Sequence, residues 1–401
     1  MNDFVVYTPT RILFGASQID AFTAAIAQFG KKAMIVIGGG SMKRLGYLAT
    51  VSEACKKAGI AVEVFEGIEP NPQSATINRA AKEATQKGVQ FFIALGGGSV
   101  MDATKAISAL VHDKQDDVWP YVLGEPKNNQ FTGALPIVTI PTTAATASEV
   151  TPYAVISNKA VNGKSVLAYD FFKPAVSWLN PDFTVDLSPT TTQDGAADIL
   201  SHVFENYLLG GDESPIADGY TEVVMETVLD HLPLLMRHPK NVAYRGRLLW
   251  ASTLALNGIQ LAGRKPAEFV LHSMEHALSG FYPQLAHGRG LATLFPAYFK
   301  WLLSKGRAQA RLARLARRLF DVTHCNDELT ALSFIEMFSE WLNDNDLYQS
   351  LPDLGIEPAK YRAIAEYAVK VYGTNGHLNA LGSMRVDDIV EVFELTHAQG
   401  S

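Results

Sequence analysis

The tetrapeptide Gly-Gly-Gly-Ser occurs twice in this chain of 401 residues, at positions 38–41 and 96–99. Each copy follows a short run of apolar residues, 33–37 or 91–95, and precedes a stretch with helical periodicity. Short apolar runs that alternate with helical stretches predict βαβ units. Such units build a largely parallel sheet covered by helices on both faces, so the first half of the chain is expected to be an α/β domain.

The two halves of the sequence differ in their predicted elements. In the first half, further strands are predicted at 61–65, 137–140 and 176–179, and helices at 42–58, 74–87 and 100–111. After residue 188 strand patterns nearly vanish, and helices are predicted at 193–209, 215–236, 242–262, 266–279, 289–304, 306–320, 327–344 and 358–371. The change coincides with the segment NPDFTVDLSPT, which contains two prolines. We therefore expect an α/β domain of residues 1–187 and an all-α domain of residues 188–401.

Composition and charge narrow the class of protein. The formal net charge of -7 gives no electrostatic basis for binding nucleic acid, and the basic run RLARLARR at 311–318 is interpreted as the solvated face of an amphipathic helix. Cys55 and Cys325 are too few and too far apart in sequence to suggest a disulfide framework. No apolar run approaches the length of a membrane span, and the first residues lack the features of a secretory signal. We expect a cytoplasmic protein with neither a nucleic-acid nor a membrane partner.

A second group of residues has the spacing of metal ligands. Asp198 and His202 are four apart in a helical stretch, so their side chains leave the same face, and His272 and His276 repeat this spacing in HSMEH. His287 follows in the loop LAHGRG. One carboxylate and several imidazoles suit a divalent Fe, Zn or Mn ion. The spacing alone fits a metal-dependent hydrolase equally well, and a single helical histidine is more often a packing or surface residue than a ligand.

The second glycine turn has the setting of a phosphate site. At the carboxyl end of a strand, glycines let the backbone approach a phosphate, and the next helix offers free N–H groups. Asp102 and Lys105 follow on the first turns of that helix, and a polar loop, PTTAATASEVT, follows the strand at 137–140. Both loops would open on the same edge of a doubly wound sheet. The GxGxxG fingerprint is absent, and a tight strand-to-helix turn can use glycine for its conformation alone.

Four segments, taken together and in order, resemble the iron-containing (group III, metal-dependent) alcohol dehydrogenases. They are GGGSVMDATK, PTTAATASEVT, DGAADILSHVFENY and HSMEHALSGFYPQLAHGRGLA. The likeness runs nearly end to end and is greatest to the butanol dehydrogenase and broad-range aldehyde reductase branch. It implies an N-terminal dinucleotide-binding domain, a C-terminal helical domain that carries the metal and the catalytic residues, and a cleft between them that holds the nicotinamide against the metal.

Carried onto matching positions, the resemblance implies a divalent metal held by Asp198, His202, His272 and His287, with Fe²⁺ favoured and Zn²⁺ as the alternative. His276 would lie near the nicotinamide and the substrate without being a ligand, and it is the candidate catalytic proton relay. The residues expected to bind the cofactor are Gly38, Gly39, Gly40, Ser41, Gly97, Gly98, Ser99, Asp102, Thr142, Thr143, Thr146 and Lys164.

Two features depart from the family pattern. Ala145 and Ala147 stand where the threonine loop usually has glycines, which leaves the path of that loop over the cofactor open. The segment FYPQLAHG is one residue longer than usual before His287, so the position of this histidine relative to the other three ligands is also open.

The implied reaction is reversible hydride transfer between NAD(P)H and a small aldehyde or primary alcohol, with the metal as a Lewis acid on the substrate oxygen. The alternative is metal-dependent lyase chemistry on a phosphorylated substrate, as in dehydroquinate synthase-like proteins. That chemistry needs lysines and arginines around the metal. Between residues 194 and 290 only Arg289 adjoins a ligand, with Arg264 and Lys265 farther away, so the dehydrogenase is favoured.

The first glycine turn bears on the choice of cofactor. A carboxylate near the adenosine ribose favours NAD and repels the 2′-phosphate of NADP. No acidic residue occurs between Lys31 and Val51, whereas Ser41, Lys43 and Arg44 can bind a phosphate. We therefore expect NADP(H), with NAD(H) as the alternative. A homodimer is also expected, through exposed edge strands near residues 4–14.

Overall fold

A computed structural model describes residues 1–211 and 213–399, with side chains described as far as residue 397. By its internal contacts the chain divides into two compact units. The sheet unit comprises Tyr7–Leu187 and Lys240–Thr253, and the helical unit comprises Met1–Val6, Ser188–Pro239 and the chain from Leu254 onward. The domain bounds 1–187 and 188–401 stay a prediction. By its contacts Met1–Val6 belongs to the helical unit and Lys240–Thr253 to the sheet unit, so each lies on the other side of the predicted boundary.

The sheet unit is built on six strands, and every strand pair in its main sheet is parallel. In chain order the strands of the described chain are β1 Arg11–Phe14, β2 Lys32–Ile37, β3 Ala61–Glu66, β4 Phe91–Gly96, β5 Ile137–Pro141, β6 Tyr153–Asn158, β7 Gly163–Ala168, β8 Val176–Leu179, β9 Leu378–Asn379 and β10 Ser383–Met384. The main sheet has the order β1-β8-β5-β4-β2-β3. The five predicted strands are all in it, which confirms the predicted parallel α/β architecture.

Alternation along the central strands produces a core on each face of this sheet. In β2, Met34 and Val36 contribute to one apolar cluster, whereas Ile35 and Ile37 contribute to the other. All four are fully buried. Because successive side chains of a strand point to opposite faces, a run that is apolar at every position requires cover on both sides.

The described residues form fourteen α-helices. They are α1 Ile19–Ile26, α2 Ser41–Arg44, α3 Tyr47–Lys57, α4 Ser74–Lys87, α5 Gly98–Asp113, α6 Pro189–Leu209, α7 Pro215–Arg237, α8 Val242–Ala255, α9 Val270–Phe281, α10 His287–Ser304, α11 Gln309–Leu319, α12 Asp327–Asp344, α13 Tyr361–Tyr372 and α14 Val386–Leu395. The helical second half that the sequence predicts is confirmed. None of the helices described combines the length and the apolar content that a bilayer span needs.

Glycines account for two departures from the predicted helices. The stretch 42–58 is divided into α2 and α3 by Gly46, which has a left-handed φ of 79°. The stretch 242–262 ends as an α-helix at Ala255, and Gly258, with φ 96°, precedes a short 3₁₀ turn. A left-handed residue cannot continue a right-handed helix, so each glycine ends one.

The order of the strands reverses in one place. From β2 the chain passes through α3 to its neighbour β3, and it then returns past β2 through α4 to β4 on the other side. In open α/β sheets, ligands bind outside the carboxyl ends of the strands at such a reversal. The two GGGS turns follow β2 and β4, the two strands that flank it.

Arginines of α11 take part in a buried ionic cluster of the helical unit. Asp218 on α7 is fully buried, and its carboxylate accepts from Arg264 Nη2 at 2.7 Å and from both Nη atoms of Arg311 at 2.7 Å. Arg311 also lies over the ring of Tyr207, 3.5 Å from its centroid. The interpretation of 311–318 as a solvated face is therefore wrong for Arg311, because a buried carboxylate opposite it withdraws its charge from water.

We expect Asp218→Asn to lower the free energy of unfolding by about 3–5 kcal/mol, because it leaves two buried guanidinium groups without their counter-charge. The matched control is Glu226→Gln, which removes an ion pair with Arg318 whose side chains are both 42% exposed. That change is expected to cost about 1 kcal/mol or less. Urea unfolding followed by circular dichroism measures both, and equal effects would contradict the assignment of Asp218 as the centre of the cluster.

Candidate metal centre and nucleotide turns

Four of the side chains that the sequence predicts as metal ligands converge in the helical unit. Asp198 and His202 leave the same face of α6, His272 lies on α9, and His287 is the first residue of α10. From Asp198 Oδ1 the Nε2 atoms of His202, His272 and His287 lie at 3.6, 3.8 and 3.5 Å. The longer loop before His287 thus leaves its Nε2 atom close to Asp198, whereas the group whose potential ligand atoms all lie within 4.8 Å of one another comprises Asp198, His202 and His272.

The donor set and its spacing fit a divalent cation. In a tetrahedral site with bonds of about 2.1 Å, neighbouring ligand atoms are ~3.4 Å apart, close to the separations found here. Asp198 Oδ1 and His202 Nδ1 are buried and have no hydrogen-bond partner among the described residues. A buried carboxylate oxygen without a donor is costly, and a cation among these atoms would satisfy it.

Charge within the cluster also favours a cation. Burial lowers the pKa of His202 to about 3, so this imidazole is neutral at pH 7, as a ligand must be. Burial also acts against a charge on His272, but the carboxylates of Glu205 and Asp198 outweigh it and raise the pKa to about 9. Burial tends to raise the pKa of Asp198, yet the surrounding imidazoles hold it below its ordinary range. The carboxylates therefore favour a positive charge at this position, and a bound cation would supply it in place of the proton on His272.

The histidine of LAHGRG lies in a helix, not in the loop that the sequence predicts. A Cβ on Gly288 would lie 1.8 Å from the backbone oxygen of Asp194, so α10 begins in direct backbone contact with α6. Arg289 Nε reinforces this contact by donating to Asp194 Oδ1 at 3.0 Å. The glycines that resemble a loop signal are required for close helix packing, which explains the wrong prediction.

Two glutamates that the sequence analysis did not identify contact the cluster. Glu205 on α6 and Glu275 on α9 are 2% and 0% exposed. Glu205 Oε2 pairs with His272 Nδ1, and Glu275 Oε2 pairs with His287 Nδ1. Their spacing held a signal, since Glu205 lies two helical turns after Asp198 and Glu275 lies three residues after His272.

His276, the candidate proton relay, lies beside the cluster. Its ring is 5.2 Å from that of His287 and 5.9 Å from that of His272, and it is 8% exposed. With Glu275 and His287 it forms a second group whose potential ligand atoms lie within 4.8 Å of one another. His287 Nδ1 pairs with Glu275, which leaves its Nε2 facing Asp198, so the group around Asp198 is the better candidate for the metal.

In the sheet unit, the second glycine turn packs against the threonine loop. A Cβ on Gly97 would lie 3.0 Å from Thr143 Oγ1, and one on Gly98 would lie 2.4 Å from Thr146 Cγ2. Thr142 is buried, and its N–H donates to the backbone oxygen of Gly96 at 3.1 Å. The predicted cofactor residues of the two motifs therefore form one surface, next to Ser99 at the start of α5.

A buried polar network holds that loop in place. Asp102 Oδ1 accepts from Ser148 Oγ at 2.6 Å, and its Oδ2 accepts from the N–H of Val155 at 2.9 Å. Lys105 Nζ donates to Ser148 Oγ at 2.8 Å and to the backbone oxygen of Tyr153 at 2.8 Å. Burial lowers the pKa of Lys105 to about 8. Asp102 thus positions the loop, and a direct contact with the cofactor stays a prediction, as it does for Lys164, which is buried opposite Ser157 in the β6–β7 hairpin.

The alanines of the threonine loop differ in their strain. Ala147 has a φ of 52°, in the left-handed region where the family has a glycine, and it is fully buried. That conformation costs an alanine about 1–2 kcal/mol. Ala145 has an ordinary φ, and its N–H donates to Ser252 Oγ at 2.9 Å. The loop therefore adopts a path that suits glycine at 147 although this chain has none there.

An acidic residue lies next to the first glycine turn, although none occurs nearby in sequence. Lys43 forms an ion pair with Glu66, the last residue of β3. Glu66 Oε1 would be 3.8 Å from a Cβ on Gly40, whereas a Cβ on Gly39 would meet nothing within 4 Å. The neighbouring strand β3 thus places a carboxylate beside the turn formed by Gly38, Gly39, Gly40 and Ser41. The sequence of residues 31–51 could not show this, because Glu66 lies outside that segment.

Comparison with known proteins covers both units. Residues 9–181 match the family described as iron-containing alcohol dehydrogenase, and residues 192–396 match the C-terminal region of the Fe-containing alcohol dehydrogenase family. NADH-dependent butanol dehydrogenase A of Clostridium acetobutylicum is 32% identical over 99% of this chain and 100% of that protein. NADPH-dependent aldehyde reductase YqhD of Escherichia coli is 30% identical over 96% of this chain and 99% of that protein.

A solved structure gives the same result. The crystal structure of NADH-dependent butanol dehydrogenase A from Thermotoga maritima superimposes with a TM-score of 0.92 at 31% identity, over 99% of both chains. The metal-ligand spacing, the glycine turns and the matches along the whole chain agree, and the chain belongs to the iron-containing alcohol dehydrogenase family.

Proposed function

We propose that this protein is a metal-dependent alcohol dehydrogenase that transfers hydride between NAD(P)H and a small aldehyde or primary alcohol. The observation that carries the proposal is the convergence of Asp198, His202, His272 and His287 in a chain whose full length resembles butanol dehydrogenases and an aldehyde reductase. Reduction of a panel of aldehydes with NADH and NADPH, after loading with Fe²⁺ or Zn²⁺, tests it directly.

In this proposal the four converging side chains hold one divalent metal per chain. Such an ion supplies Lewis-acid stabilisation of the substrate oxygen, which carries negative charge as an alkoxide when hydride moves. Asp198, His202 and His272 are 2%, 5% and 6% exposed, so the protein excludes bulk water from three of the four proposed ligands, whereas the side chain of His287 is 23% exposed. Exclusion of water strengthens electrostatic interactions in the site.

The residues of the sheet unit would bind the nucleotide. Gly97 and Gly98 let the turn pack closely against Thr143 and Thr146, and α5 begins there with N–H groups suited to a pyrophosphate. The position of this turn at the reversal of strand order supports the same site.

The lyase alternative loses its basic residues to internal partners. Arg289 donates to Asp194, Arg264 to Asp218, and Lys265 pairs with Glu213. A phosphorylated substrate would need such groups to be available. The internal pairs of Arg264 and Arg289 therefore favour a small uncharged substrate, whereas the surface pair of Lys265, whose side chain is 69% exposed, does not bear on this choice.

A homodimer and a cytoplasmic location complete the proposal. The edge strand β1 adjoins a mainly apolar groove of about 660 Å³, lined in part by Phe14, Val242 and Trp250, and the side chains of Phe14 and Trp250 are 43% and 40% exposed. An exposed edge strand beside an apolar groove suits a second copy of the chain. The two cysteines are unpaired, which suits a reducing compartment. Sedimentation equilibrium measures the mass of the assembly.

We expect Asp198→Ala, His202→Ala and His272→Ala each to remove bound metal and activity together. Nucleotide binding should persist, since the glycine turns belong to the other unit. Metal content by mass spectrometry and NADPH fluorescence titration measure the two properties. His324→Ala, an exposed histidine of the helical unit, is the control and should retain both. Full activity in a metal-depleted variant would rule out the metal mechanism.

His276→Ala should keep its metal and lose turnover, by roughly 10²–10⁴-fold if its imidazole transfers the proton to or from the substrate oxygen. The loss should change with pH, because a histidine normally titrates near neutrality. Profiles of kcat and kcat/KM against pH measure this. If the variant instead loses metal as completely as His272→Ala, the roles of the two histidines have been assigned the wrong way round.

For the cofactor, we expect a higher kcat/KM with NADPH than with NADH. Lys43 neutralises Glu66 at the turn, and Arg44 adds a second positive charge. Two variants should each lower the ratio of kcat/KM with NADPH to kcat/KM with NADH by about tenfold, or ~1.4 kcal/mol. Gly39→Asp adds a carboxylate where the turn has room for it, and Lys43→Ala leaves the charge of Glu66 without its partner. Lys57→Ala, on the far end of α3, is the charge-matched control. A wild-type preference for NADH would refute this expectation.

A further inference from the structure

We infer that Glu205 and Glu275 are positioning residues for the metal centre, each holding one histidine ligand through its Nδ1 atom. The inference rests on the metal site of the proposed function and adds two residues that neither ligate the metal nor contact the substrate. Both carboxylates are buried, and each connects two helices. The geometry of one helix cannot fix the direction of a ligand that lies on another helix.

Glu205 connects α6 with the first turn of α9. It lies seven residues after Asp198, so the two carboxylates share one face of α6, two turns apart. Its Oε2 pairs with His272 Nδ1, and its Oε1 accepts from the N–H of Leu271 at 2.5 Å. Both carboxylate oxygens of Glu205 therefore bind α9, one through the ring of His272 and the other through the backbone N–H of Leu271. The ring of His272 is held together with the backbone next to it.

Glu275 performs the same task between α9 and α10. Its Oε2 pairs with His287 Nδ1, and its side chain is 0% exposed. The space for this side chain depends on Gly290, since a Cβ at that position would lie 2.9 Å from Glu275 Cγ. The second glycine of HGRG therefore has a role distinct from that of Gly288, which allows the contact with α6.

These pairs determine which ring nitrogen faces the metal. When Nδ1 carries the proton and donates it to a carboxylate, Nε2 keeps its lone pair, and the Nε2 atoms of His272 and His287 are those that face Asp198. Carboxylates in this position orient a metal-binding imidazole and increase its basicity. Among the residues that the structure describes, His202 Nδ1 has no such partner, but His202 lies one turn from Asp198 on the same helix, which already fixes its direction.

The test is the affinity of the metal-free protein for Co²⁺, measured by competition with a chelator and by the visible absorption of the bound ion. Glu205→Gln and Glu275→Gln keep the shape of the side chain, and the amide oxygen can still accept from Nδ1, although in Glu205→Gln the NH2 group then faces the N–H of Leu271. We expect Co²⁺ to bind roughly 10–100-fold more weakly in each, with an altered absorption band and, for Glu275→Gln, an unchanged urea midpoint of the metal-free protein. Glu222→Gln, a buried carboxylate that binds Tyr207 and no histidine, is the control.

Glu275→Asp separates position from charge. It keeps the negative charge but withdraws the carboxylate by one carbon, so a positioning role predicts weaker Co²⁺ binding here as well. This variant also serves if a glutamine variant does not fold. Affinities within about twofold of wild type in the folded variants at both sites would overturn the inference, as would two Co²⁺ per wild-type chain falling to one in Glu275→Gln, which would make Glu275 a ligand.

Failure of the proposed function has a different signature. A wild-type protein that binds Co²⁺ and reduces no aldehyde, while the variants bind Co²⁺ more weakly, would refute the reaction and leave the positioning role intact. A wild-type protein that binds no divalent ion would refute the metal site, and the inference with it.

Discussion

The buried carboxylate of Asp198 is the interaction on which the arrangement of the helical unit depends. A negative charge away from water needs compensation, and three imidazoles from α6, α9 and α10 surround one of its oxygens at 3.5–3.8 Å. Each imidazole comes from a different part of the sequence, so these three helices have to be close-packed for the charge to be tolerated. Compensation of the buried charge and assembly of the proposed metal site therefore both require α6, α9 and α10 to pack closely.

The glycine turn of the sheet unit depends on two positions that have no side chain. Gly97 and Gly98 have no Cβ, and the side chains of Thr143 and Thr146 occupy the room that this leaves. A glycine turn of this kind is often explained by phosphate binding alone. Here packing and phosphate binding require glycine at the same positions, so the turn alone is weak evidence for a nucleotide site. Its position at the reversal of strand order makes that evidence stronger.

Local pattern was sufficient for most of the fold. The helix at 74–87 and the strand at 176–179 have the predicted bounds, because each has regular periodicity and clear end signals. The β6–β7 hairpin was missed even though Ala154 and Ile156 alternate as buried residues and its turn contains the dipeptide Asn162-Gly163, a common hairpin signal. Glu66 could not be assigned because its partner Lys43 lies on another element. The spacing of Glu205 and Glu275 places each on the same helix as a ligand, but which histidine each carboxylate pairs with depends on how the helices pack.

The contact between Gly288 and the backbone of Asp194 has a consequence for synthesis of the protein. Because it joins segments more than ninety residues apart, it forms only after most of the chain has left the ribosome, and the first histidine of α10 reaches the others at the same moment. A nascent chain that ends before this point offers an incomplete set of ligands. The four proposed ligands therefore come together only after His287 has been synthesised, so the complete site requires nearly three quarters of the chain.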